Sequence, residues 1–291
     1  MFKPGTLWTL VQDTSDRARK CGALEPIATE EEFVQQWGMS FLVRILSKLS
    51  PKVKAKQERG AEFNPFLPYE EDLFVADISP THLCILNKYN VVDNHLLIIT
   101  RDFQEQETWL TLEDMVALSR CMAEYEALAF YNGGRIAGAS QRHKHLQLIP
   151  YQKELLISTI VQKAEFTNSI GTIPHFPFRH AIAKLDQSLL ESPVSFLNTY
   201  YELLQKVGLL KLIPPTNTHQ TGAYNFLATR EYMLIIPRSQ ERCQSISVNS
   251  LGFAGALLVH NQQQRSLLKQ LGPINLLKTV AFPEPPPMSC C

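Results

Sequence analysis

The sequence of 291 residues predicts an α+β fold in which an antiparallel sheet is flanked by helices. Three short β-prone runs, residues 73–78, 83–89 and 96–100, are split by turn signals, which is typical of antiparallel strands. Segments with helical signals lie on both sides of these runs. The hairpin over residues 85–100 also resembles one over residues 226–238, so we expect two diverged halves that pack as one unit.

Two helices are expected to open the chain. The second is the clearer one, because Thr29 and Glu32 form a capping-box signature and apolar residues then recur at helical spacing. Pro51 would end this helix, since proline cannot continue one. The apolar stripe consists of Phe33, Trp37, Phe41, Ile45 and Leu49.

A longer helix is predicted after the β-prone runs. It begins at residues 111–114, where apolar side chains return to helical spacing, and it ends at residues 132–134, where two glycines suit a C-cap. Residues 135–151 then predict a short strand, a turn and a longer strand.

The second half contains one helix with clear ends and one hairpin. Ser192-Pro193 is an N-cap with proline at the first helical position, and Gly208 closes that helix. Residues 224–236 form the hairpin, and two short helices and a proline-rich tail follow it. We expect an N-terminal half over residues 1–175 and a C-terminal half over residues 176–291.

The charge balance excludes one broad class of partner. The chain carries 28 basic and 28 acidic residues, so we expect no nucleic-acid partner, because duplex binding depends on neutralising many phosphates. Six of the basic residues lie between Arg44 and Arg59, where Glu58 is the one acidic residue. This local excess suits a small anionic ligand.

The sequence also predicts where the protein works. No apolar run reaches the ~18 residues of a membrane span, and the N-terminus lacks the apolar core of a signal peptide. The six cysteines are scattered without a CxxC pair, which favours free thiols in a reducing compartment. We therefore expect a cytoplasmic protein without a membrane partner, either a monomer or a small homo-oligomer.

The most informative segment lies between residues 138 and 150. Successive side chains of a strand alternate between faces, so His143, His145 and Gln147 share one face, while the leucines between and after them face the core. Lys144 interrupts the apolar face, and we expect it to lie where the strand emerges.

Three interpretations of the polar face are open. Two histidines on an edge strand could be merely structural. A zinc site would need further ligands, which distant His82 or Cys84 would have to supply, and glutamine is a poor zinc ligand. The third interpretation is nucleophilic attack on phosphorus, which a neutral imidazole performs well near neutral pH.

The neighbouring residues suit the third interpretation. Gln147 offers an amide donor to a phosphate oxygen on the same face. Gly138, Ala139 and Ser140 would supply backbone N–H groups and a hydroxyl to the same anion.

His143-Lys144-His145-Leu146-Gln147 resembles the His-x-His-x-Gln form of the histidine triad motif, which marks the nucleotidyltransferase branch of that superfamily. Most of the chain from residue 63 onward is similar to the diadenosine tetraphosphate phosphorylases, also called ATP adenylyltransferases. The landmarks of this resemblance are Phe63-Asn64-Pro65-Phe66, Asn87-Lys88-Tyr89, Asn94-His95-Leu96-Leu97-Ile98, Tyr224-Asn225-Phe226-Leu227, Pro237-Arg238 and Gly252-Phe253-Ala254-Gly255.

The resemblance implies a histidine-triad-like sheet and a definite reaction. His145 would attack the α-phosphorus of diadenosine tetraphosphate, expel ATP and hold AMP covalently, and inorganic phosphate would then release ADP. Gln147 would position the α-phosphate, and His143 would orient the site or help to neutralise the leaving phosphates. Because glutamine is not an acid–base group, transfer to phosphate is favoured over hydrolysis.

The resemblance also implies how the substrate is held. Ser140 and Gln141 would bind phosphate oxygens, and Asn132 or Asn87 would contact the nucleotide. The basic segment would grip the polyphosphate through one or more of Lys52, Lys54 and Lys56.

Two other functions stay open. Hexose-1-phosphate uridylyltransferases share the His-x-His-x-Gln form, but they usually carry prolines between these residues and a CxxC zinc pair, which this sequence lacks. The alternatives are a sugar-phosphate nucleotidyltransferase or nucleotide-sugar phosphorylase, and a non-catalytic nucleotide sensor. We expect no covalent cofactor and no resident metal, but a divalent cation such as Mg²⁺ would accompany the substrate.

Overall fold

The computed structural model describes residues 1–46, 63–151 and 155–284, and their fold is a large antiparallel sheet with helices on it. The strands in chain order are β1 (Thr29–Gln36), β2 (Met39–Leu46), β3 (Phe74–Asp77), β4 (His82–Leu86), β5 (Leu96–Thr100), β6 (Ala127–Gly133), β7 (His145–Pro150), β8 (Glu165–Thr167), β9 (Ile170–Thr172), β10 (Ala181–Lys184), β11 (Tyr224–Ala228), β12 (Tyr232–Pro237), β13 (Arg242–Cys243), β14 (Ile246–Ser247) and β15 (Ala256–Val259).

The helices lie between these strands and after them. They are α1 (Leu7–Cys21), α2 (Leu112–Met122), α3 (Ser158–Val161), α4 (Gln187–Glu191), α5 (Pro193–Lys206), α6 (Ser250–Phe253), α7 (Gln262–Leu271) and α8 (Pro273–Val280), with short 3-10 turns at Glu71–Leu73 and Arg135–Ala137. Of the helices described, none combines the length and the apolar character that crossing a membrane requires.

Ten strands form the main sheet in the order β3-β4-β5-β7-β6-β11-β12-β10-β9-β8, with every neighbouring pair antiparallel. The α+β prediction is therefore confirmed. Two four-stranded units, β4-β5-β7-β6 and β9-β10-β12-β11, meet at the β6–β11 pair, where Asn132 lies opposite Asn225. β3 and β8 extend the sheet at its two edges. The two units share one strand order: from the outer edge inward come the strands that are first, second, fourth and third along the chain. In each unit a helix, α2 or α5, follows the second strand along the chain.

This repeated order is the arrangement that two diverged halves would produce. The hairpins compared in the sequence take different places in it, however. β4–β5 forms the outer strands of the first unit, whereas β11–β12 forms the inner strands of the second. Their likeness is therefore one of alternation in buried strands and not of equivalent position. The boundary at residue 175 stays a prediction.

The sheet buries both of its faces. One face packs against α1, α2 and α5, and Leu146 and Leu148 of β7 lie in this core. The other face packs against the C-terminal helices and a small sheet, in which β15 runs parallel to β2 and β1 antiparallel to it. Phe130 and Leu234 belong to the second core, so the side chains of the central strands alternate between the two.

The prediction of a helix from Thr29 is wrong, because this segment is the β1–β2 hairpin. The stripe that predicted it is spaced by four residues, which is also an even number of strand positions, so Phe41 and Ile45 share the buried face of β2. Phe33 pairs with Leu42 and is exposed, as is Trp37 in the turn, so the stripe as a whole forms no single buried face. Alternate residues of β2 are buried from Met39 onward. The turn at Trp37-Gly38 has positive φ at both residues (52° and 75°). Leu49 and Pro51 lie outside the described residues.

The prediction that the next helix extends to residues 132–134 is also wrong. It begins at Thr111 as expected, with a complete capping box to Asp114, but it ends at Met122. Residues 127–133 form β6, whose side chains are all buried because the strand is covered on both faces. Residues 135–151 contain a 3-10 turn and a single strand, β7, where two strands were expected.

The helix and the hairpin predicted for the second half are both present. Ser192 caps α5 with Pro193 in its first turn, and Gly208 follows the helix with φ of 79°. β11 and β12 form the expected hairpin around Arg230-Glu231.

Candidate active site

The three polar residues of the motif form one buried wall at the start of β7. His143 is 1% exposed, His145 4% and Gln147 8%. β5 flanks them on one side, where Ile99 pairs with His145 and Leu97 with Gln147. The interpretation of two partly exposed structural histidines on an edge strand is therefore wrong, because β7 lies inside the sheet between β5 and β6.

The imidazole of His145 is held in one tautomer. Its Nδ1 lies 2.8 Å from the backbone oxygen of His143, so Nδ1 carries the hydrogen and donates it to that carbonyl. The lone pair of the neutral ring is therefore on Nε2. A nucleophile at phosphorus needs such a lone pair, and the carbonyl that fixes the tautomer would also stabilise positive charge on the ring during attack.

His143 is held neutral in the opposite tautomer. Its Nε2 donates to the backbone oxygen of Thr100 (2.8 Å), and its Nδ1 accepts from Nδ2 of Asn64 (3.0 Å). Burial lowers its pKa below the ordinary histidine value, against the opposing effect of the Thr100 carbonyl. Both ring nitrogens are used to fix the ring, so this histidine suits orientation of the site better than charge neutralisation.

Phe66 packs its ring against both histidines. The centroid of Phe66 lies 5.5 Å from that of His143 and 5.3 Å from that of His145, in edge-to-face geometry. Phe103, which is 47% exposed, makes a similar contact with His143 at 5.6 Å. These rings place apolar carbon atoms against both imidazoles.

The amide of Gln147 is oriented by a chain of two hydrogen bonds. Nδ2 of Asn87 can only donate, so Nδ1 of His95 accepts from it (3.2 Å) and the hydrogen of His95 lies on Nε2. That Nε2 donates to Oε1 of Gln147 at 3.0 Å. The NH₂ group of Gln147 therefore points away from His95 and presents its hydrogen-bond donors on that side. Asn87 thus lies behind Gln147 and supports it.

Lys144 does not emerge from the core as expected. It is fully buried, and its Nζ lies 2.5 Å from Oδ2 of Asp114 and 2.8 Å from the backbone oxygen of Trp109. Oδ1 of Asp114 accepts from Nε2 of His82 at 3.0 Å. Burial alone would raise the pKa of Asp114, but the charge of Lys144 and these hydrogen bonds hold it below its usual value.

The metal-site interpretation loses both of its distant ligands. His82 is bound to Asp114, and the thiol of Cys84 donates to the backbone oxygen of Ala76 at 3.3 Å. Within the described ranges, no group of three or more His, Cys, Asp or Glu side chains is arranged to hold a metal ion.

The turn before the motif is tightly packed. Gly138 has φ of 91°, and a Cβ at this position would lie 2.7 Å from the backbone oxygen of Val248. The N–H of Gly138 donates to Arg135 O and that of Ala139 to Gly134 O. These two N–H groups make hydrogen bonds inside the turn, and their expected contact with an anion stays a prediction. The exposed Ser140 and the half-buried Gln141 remain candidates for that role.

Asn132 lies at the junction of the two halves. Its Oδ1 accepts from Nδ2 of Asn225 (2.9 Å), from the Ser250 hydroxyl (2.8 Å) and from the Ser250 N–H (2.9 Å). Nη1 of Arg238 in turn donates to Oδ1 of Asn225 (2.6 Å) and to Ala137 O (3.2 Å). The Asn132 oxygen therefore joins the halves beneath the glycine turn, while its predicted nucleotide contact stays a prediction.

Other predicted and unpredicted residues complete the account. Lys52, Lys54 and Lys56 lie outside the described residues, so their predicted role is unchanged. Sequence reasoning missed Asp114 and Gln106. The capping box at residues 111–114 marks Asp114 but not its pairing with Lys144, and no pattern marks Gln106, whose amide bonds to the backbone of His145.

Comparisons with known proteins agree along nearly the whole chain. Residues 1–163 match the family model described as the Ap4A phosphorylase N-terminal domain, and residues 174–283 match the ATP adenylyltransferase C-terminal domain. Two proteins of Saccharomyces cerevisiae are similar in sequence. Diadenosine 5',5'''-P1,P4-tetraphosphate phosphorylase 2 is 27% identical over 246 residues, which is 74% of each chain, and Protein APA1 is 25% identical over 295 residues, which is 90% of this chain and 89% of that protein.

The fold is also known from crystal structures. The yeast Ap4A phosphorylase Apa2 superimposes with a TM-score of 0.80 and 22% identity, covering 98% of this chain and all of that one. The crystal structure of the same protein in complex with Ap4A matches with a TM-score of 0.79 over the same share of this chain.

Proposed function

The chain belongs to the Ap4A phosphorylase family, and from that premise we propose that it cleaves diadenosine tetraphosphate with inorganic phosphate into ATP and ADP through an adenylyl group on His145. Its class, nucleotidyltransferase, follows from the family. The observation that carries the proposed step is the tautomer of His145, whose Nδ1–H is bound to His143 O and whose lone pair is on Nε2.

The first half of the reaction forms a bond between Nε2 of His145 and the α-phosphorus. The bond from that phosphorus to its bridging oxygen breaks, and ATP leaves with the electron pair. The ring becomes cationic, and the His143 carbonyl bound to Nδ1–H stabilises it. The NH₂ group of Gln147, turned outward by His95, would donate to a non-bridging oxygen of the α-phosphate as charge develops there.

The second half returns the histidine to its starting state. An oxygen of inorganic phosphate attacks the same phosphorus, the N–P bond breaks with its electrons returning to Nε2, and ADP leaves. The transfer requires no proton from Gln147, which has none to give as an acid. The neutral ring of His143 keeps the carbonyl that bonds Nδ1 in place, since both of its nitrogens are fixed by Thr100 and Asn64.

Substrate binding is proposed for residues on either side of this centre. Ser140 and Gln141 would bind phosphate oxygens, and Asn132 or Asn87 would contact the nucleotide, although hydrogen bonds to neighbouring side chains favour a supporting role for both asparagines. The charge excess between residues 44 and 59 supports a grip on the polyphosphate by Lys52, Lys54 or Lys56. A divalent cation such as Mg²⁺ would travel with the substrate and screen its phosphates.

The same proposal includes the setting of the reaction. Its small-molecule partners are the dinucleotide, phosphate, ATP and ADP, and we propose a cytoplasmic location for a monomer or small homo-oligomer. The location is supported by the thiols of Cys21, Cys84, Cys121 and Cys243, which are free.

The reaction can be tested by its products. Protein mixed with diadenosine tetraphosphate and phosphate should yield equal amounts of ATP and ADP. A yield of ATP and AMP that does not depend on phosphate would show a hydrolase. Preference for nucleoside diphosphate sugars would show a nucleotide-sugar enzyme, and tight binding without turnover would show a sensor.

The covalent step needs a separate experiment. Substrate labelled in the adenylyl group should leave AMP on the protein through a linkage that is labile in acid and stable in base. His145→Ala should abolish the label, whereas His175→Ala, which removes an exposed histidine outside the motif, should retain it. The adenylyl-histidine would be contradicted if the protein turns over substrate when phosphate is present but traps no label when phosphate is left out.

A further inference from the structure

The strands on either side of the site separate just before they reach it. β6 and β7 are paired from Ala127–Pro150 to Phe130–Gln147, which is their last rung. β6 nevertheless continues to Gly133, and β7 already begins at His145. The backbones of Asn132 and His145 therefore face each other across a gap where a regular ladder would have joined them directly.

The side-chain amide of Gln106 fills this gap. Its Oε1 accepts the N–H of His145 at 2.8 Å, and its Nε2 donates to Asn132 O at 2.9 Å and to His145 O at 3.3 Å. The carboxamide thus replaces the missing rung, and it satisfies both backbone groups of the proposed nucleophile. Gln106 is 2% exposed, so water cannot readily make these bonds in its place.

The backbone of Gln106 is anchored to the same two segments. Its N–H donates to Arg142 O at 2.7 Å, and its carbonyl accepts the hydroxyl of Tyr131. The backbone of the preceding residue, Glu105, forms an isolated antiparallel β-bridge with that of His143. Residues 105–106 are therefore inserted between β6 and the start of the motif, and the position of the glutamine side chain is itself well determined.

We propose that Gln106 is a positioning residue, whose amide holds β6 and β7 apart and sets the direction in which His145 presents Nε2. The proposal rests on the proposed function of His145, which it deepens. Without the amide, three buried backbone groups (Asn132 O, His145 N and His145 O) lose their partners. Because unpaired buried backbone groups are destabilising, we expect β6 and β7 to close and pair directly. Closure would move the His145 ring relative to Gln147 and to the glycine turn.

The effect should be on the chemical step. Gln106→Met keeps the length of the side chain and removes all three of its polar contacts. Since a displacement of about 1 Å can cost about 10²-fold in rate, we expect single-turnover adenylylation to slow by about that factor while KM changes little. Gln106→Glu keeps the acceptor for the His145 N–H, so its adenylylation rate should lie between those of the wild type and Gln106→Met. Gln104→Met, on the exposed part of the same loop, is the matched control and should react like the wild type.

A second measurement does not require the reaction. The ¹⁵N spectrum of the histidine rings reports which nitrogen carries the hydrogen, and His145→Ala assigns the signal. The wild type and Gln104→Met should show His145 protonated on Nδ1, and Gln106→Met should show a mixture of tautomers. If the wild type forms no adenylyl-histidine, the proposed function fails, and this spectrum still decides the role of Gln106.

The outcomes that overturn the proposal are specific. A folded Gln106→Met with the wild-type rate and tautomer would do so, as would a loss of rate that parallels the folded fraction alone. If Gln106→Met does not fold, Gln106→Glu replaces it, and a wild-type rate in that variant would contradict the need for the two donor bonds.

Discussion

The ammonium of Lys144 lies 2.5 Å from Oδ2 of Asp114 in a site where both side chains are at most 1% exposed. This pair ties the residue between the two motif histidines to the first turn of α2, because Oδ2 of Asp114 also accepts the N–H of Thr111 at 2.7 Å. A charge at the centre of the motif is thus neutralised on the face opposite to the site.

Breaking this pair should be costly. Asp114→Asn leaves the buried ammonium without its counter-charge, and we expect a loss of about 3–5 kcal/mol in the free energy of unfolding, measured with urea. The double variant Lys144→Met/Asp114→Leu should recover part of that loss because it leaves no buried charge. Asp93→Asn, which removes an exposed ion pair with Arg19, should change stability by less than about 1 kcal/mol. Equal losses in Asp114→Asn and Asp93→Asn would contradict this account.

His95 should affect the reaction through Gln147. If it fixes the direction of the Gln147 amide, His95→Ala and Gln147→Ala remove the same function, and their effects on the adenylylation rate will not multiply. We expect each single variant to lose at least about tenfold and the double variant to lose little more than Gln147→Ala alone. Multiplicative losses in a double-mutant cycle would show that His95 acts elsewhere.

Arg238 should be essential for the junction between the halves. Its guanidinium is buried and donates to Asn225 Oδ1, Val248 O and Val280 O at 2.6–3.1 Å. Arg238→Met leaves these acceptors unpaired, so we expect a loss above about 3 kcal/mol in urea unfolding. Arg242→Met is the control, because that side chain is largely exposed beside Glu241, and it should lose less than about 1 kcal/mol.

Stability should fall on the acid side because of buried neutral histidines. Nε2 of His180 accepts the N–H of Ile173 at 2.7 Å, which requires the neutral ring. Burial lowers the pKa of His180 to about 4, although its bond to Phe178 O opposes the shift. The unfolded chain therefore binds the proton first, and stability is fully present above pH 6.5 and declines as pH falls toward 4.

The size of this decline follows from linkage. Between pH 7.5 and 5 the His180 contribution amounts to about 2 kcal/mol in urea unfolding. His180→Gln should make the pH dependence shallower, whereas His219→Gln, at an exposed position, should leave it unchanged. An unchanged slope in His180→Gln would contradict the assignment.

The sequence predicts the chemistry of the site better than its support. Alternation along β7 places His143, His145 and Gln147 on one face, since side-chain direction in a strand depends only on residue parity. Lys144 was misplaced because its partner, Asp114, lies 30 residues earlier in the chain. The role of Gln106 depends on where β6 and β7 separate, and register between strands is a tertiary property that no local pattern contains.

The fold shows the same division. The capped helices α2 and α5 begin where their local signals place them, because a cap is a contact between near neighbours. The segment of the β1–β2 hairpin predicts a helix because apolar spacing by four residues, as between Phe41 and Ile45 of β2, fits both the helical and the strand period. The pairing of β2 with β15, more than 200 residues later, decides the matter and is not visible locally.

The two four-stranded units have unequal freedom to change in evolution. β12 has the place in the second unit that β7 has in the first, and Met233, Leu234, Ile235 and Ile236 in it are fully buried apolar residues. Selection on β12 therefore acts through volume and hydrophobicity, and exchanges among apolar residues of similar size will be tolerated there. On β7 selection acts through chemistry as well. If the two units began as equal copies, β7, which carries His145, would therefore accumulate substitutions more slowly than β12.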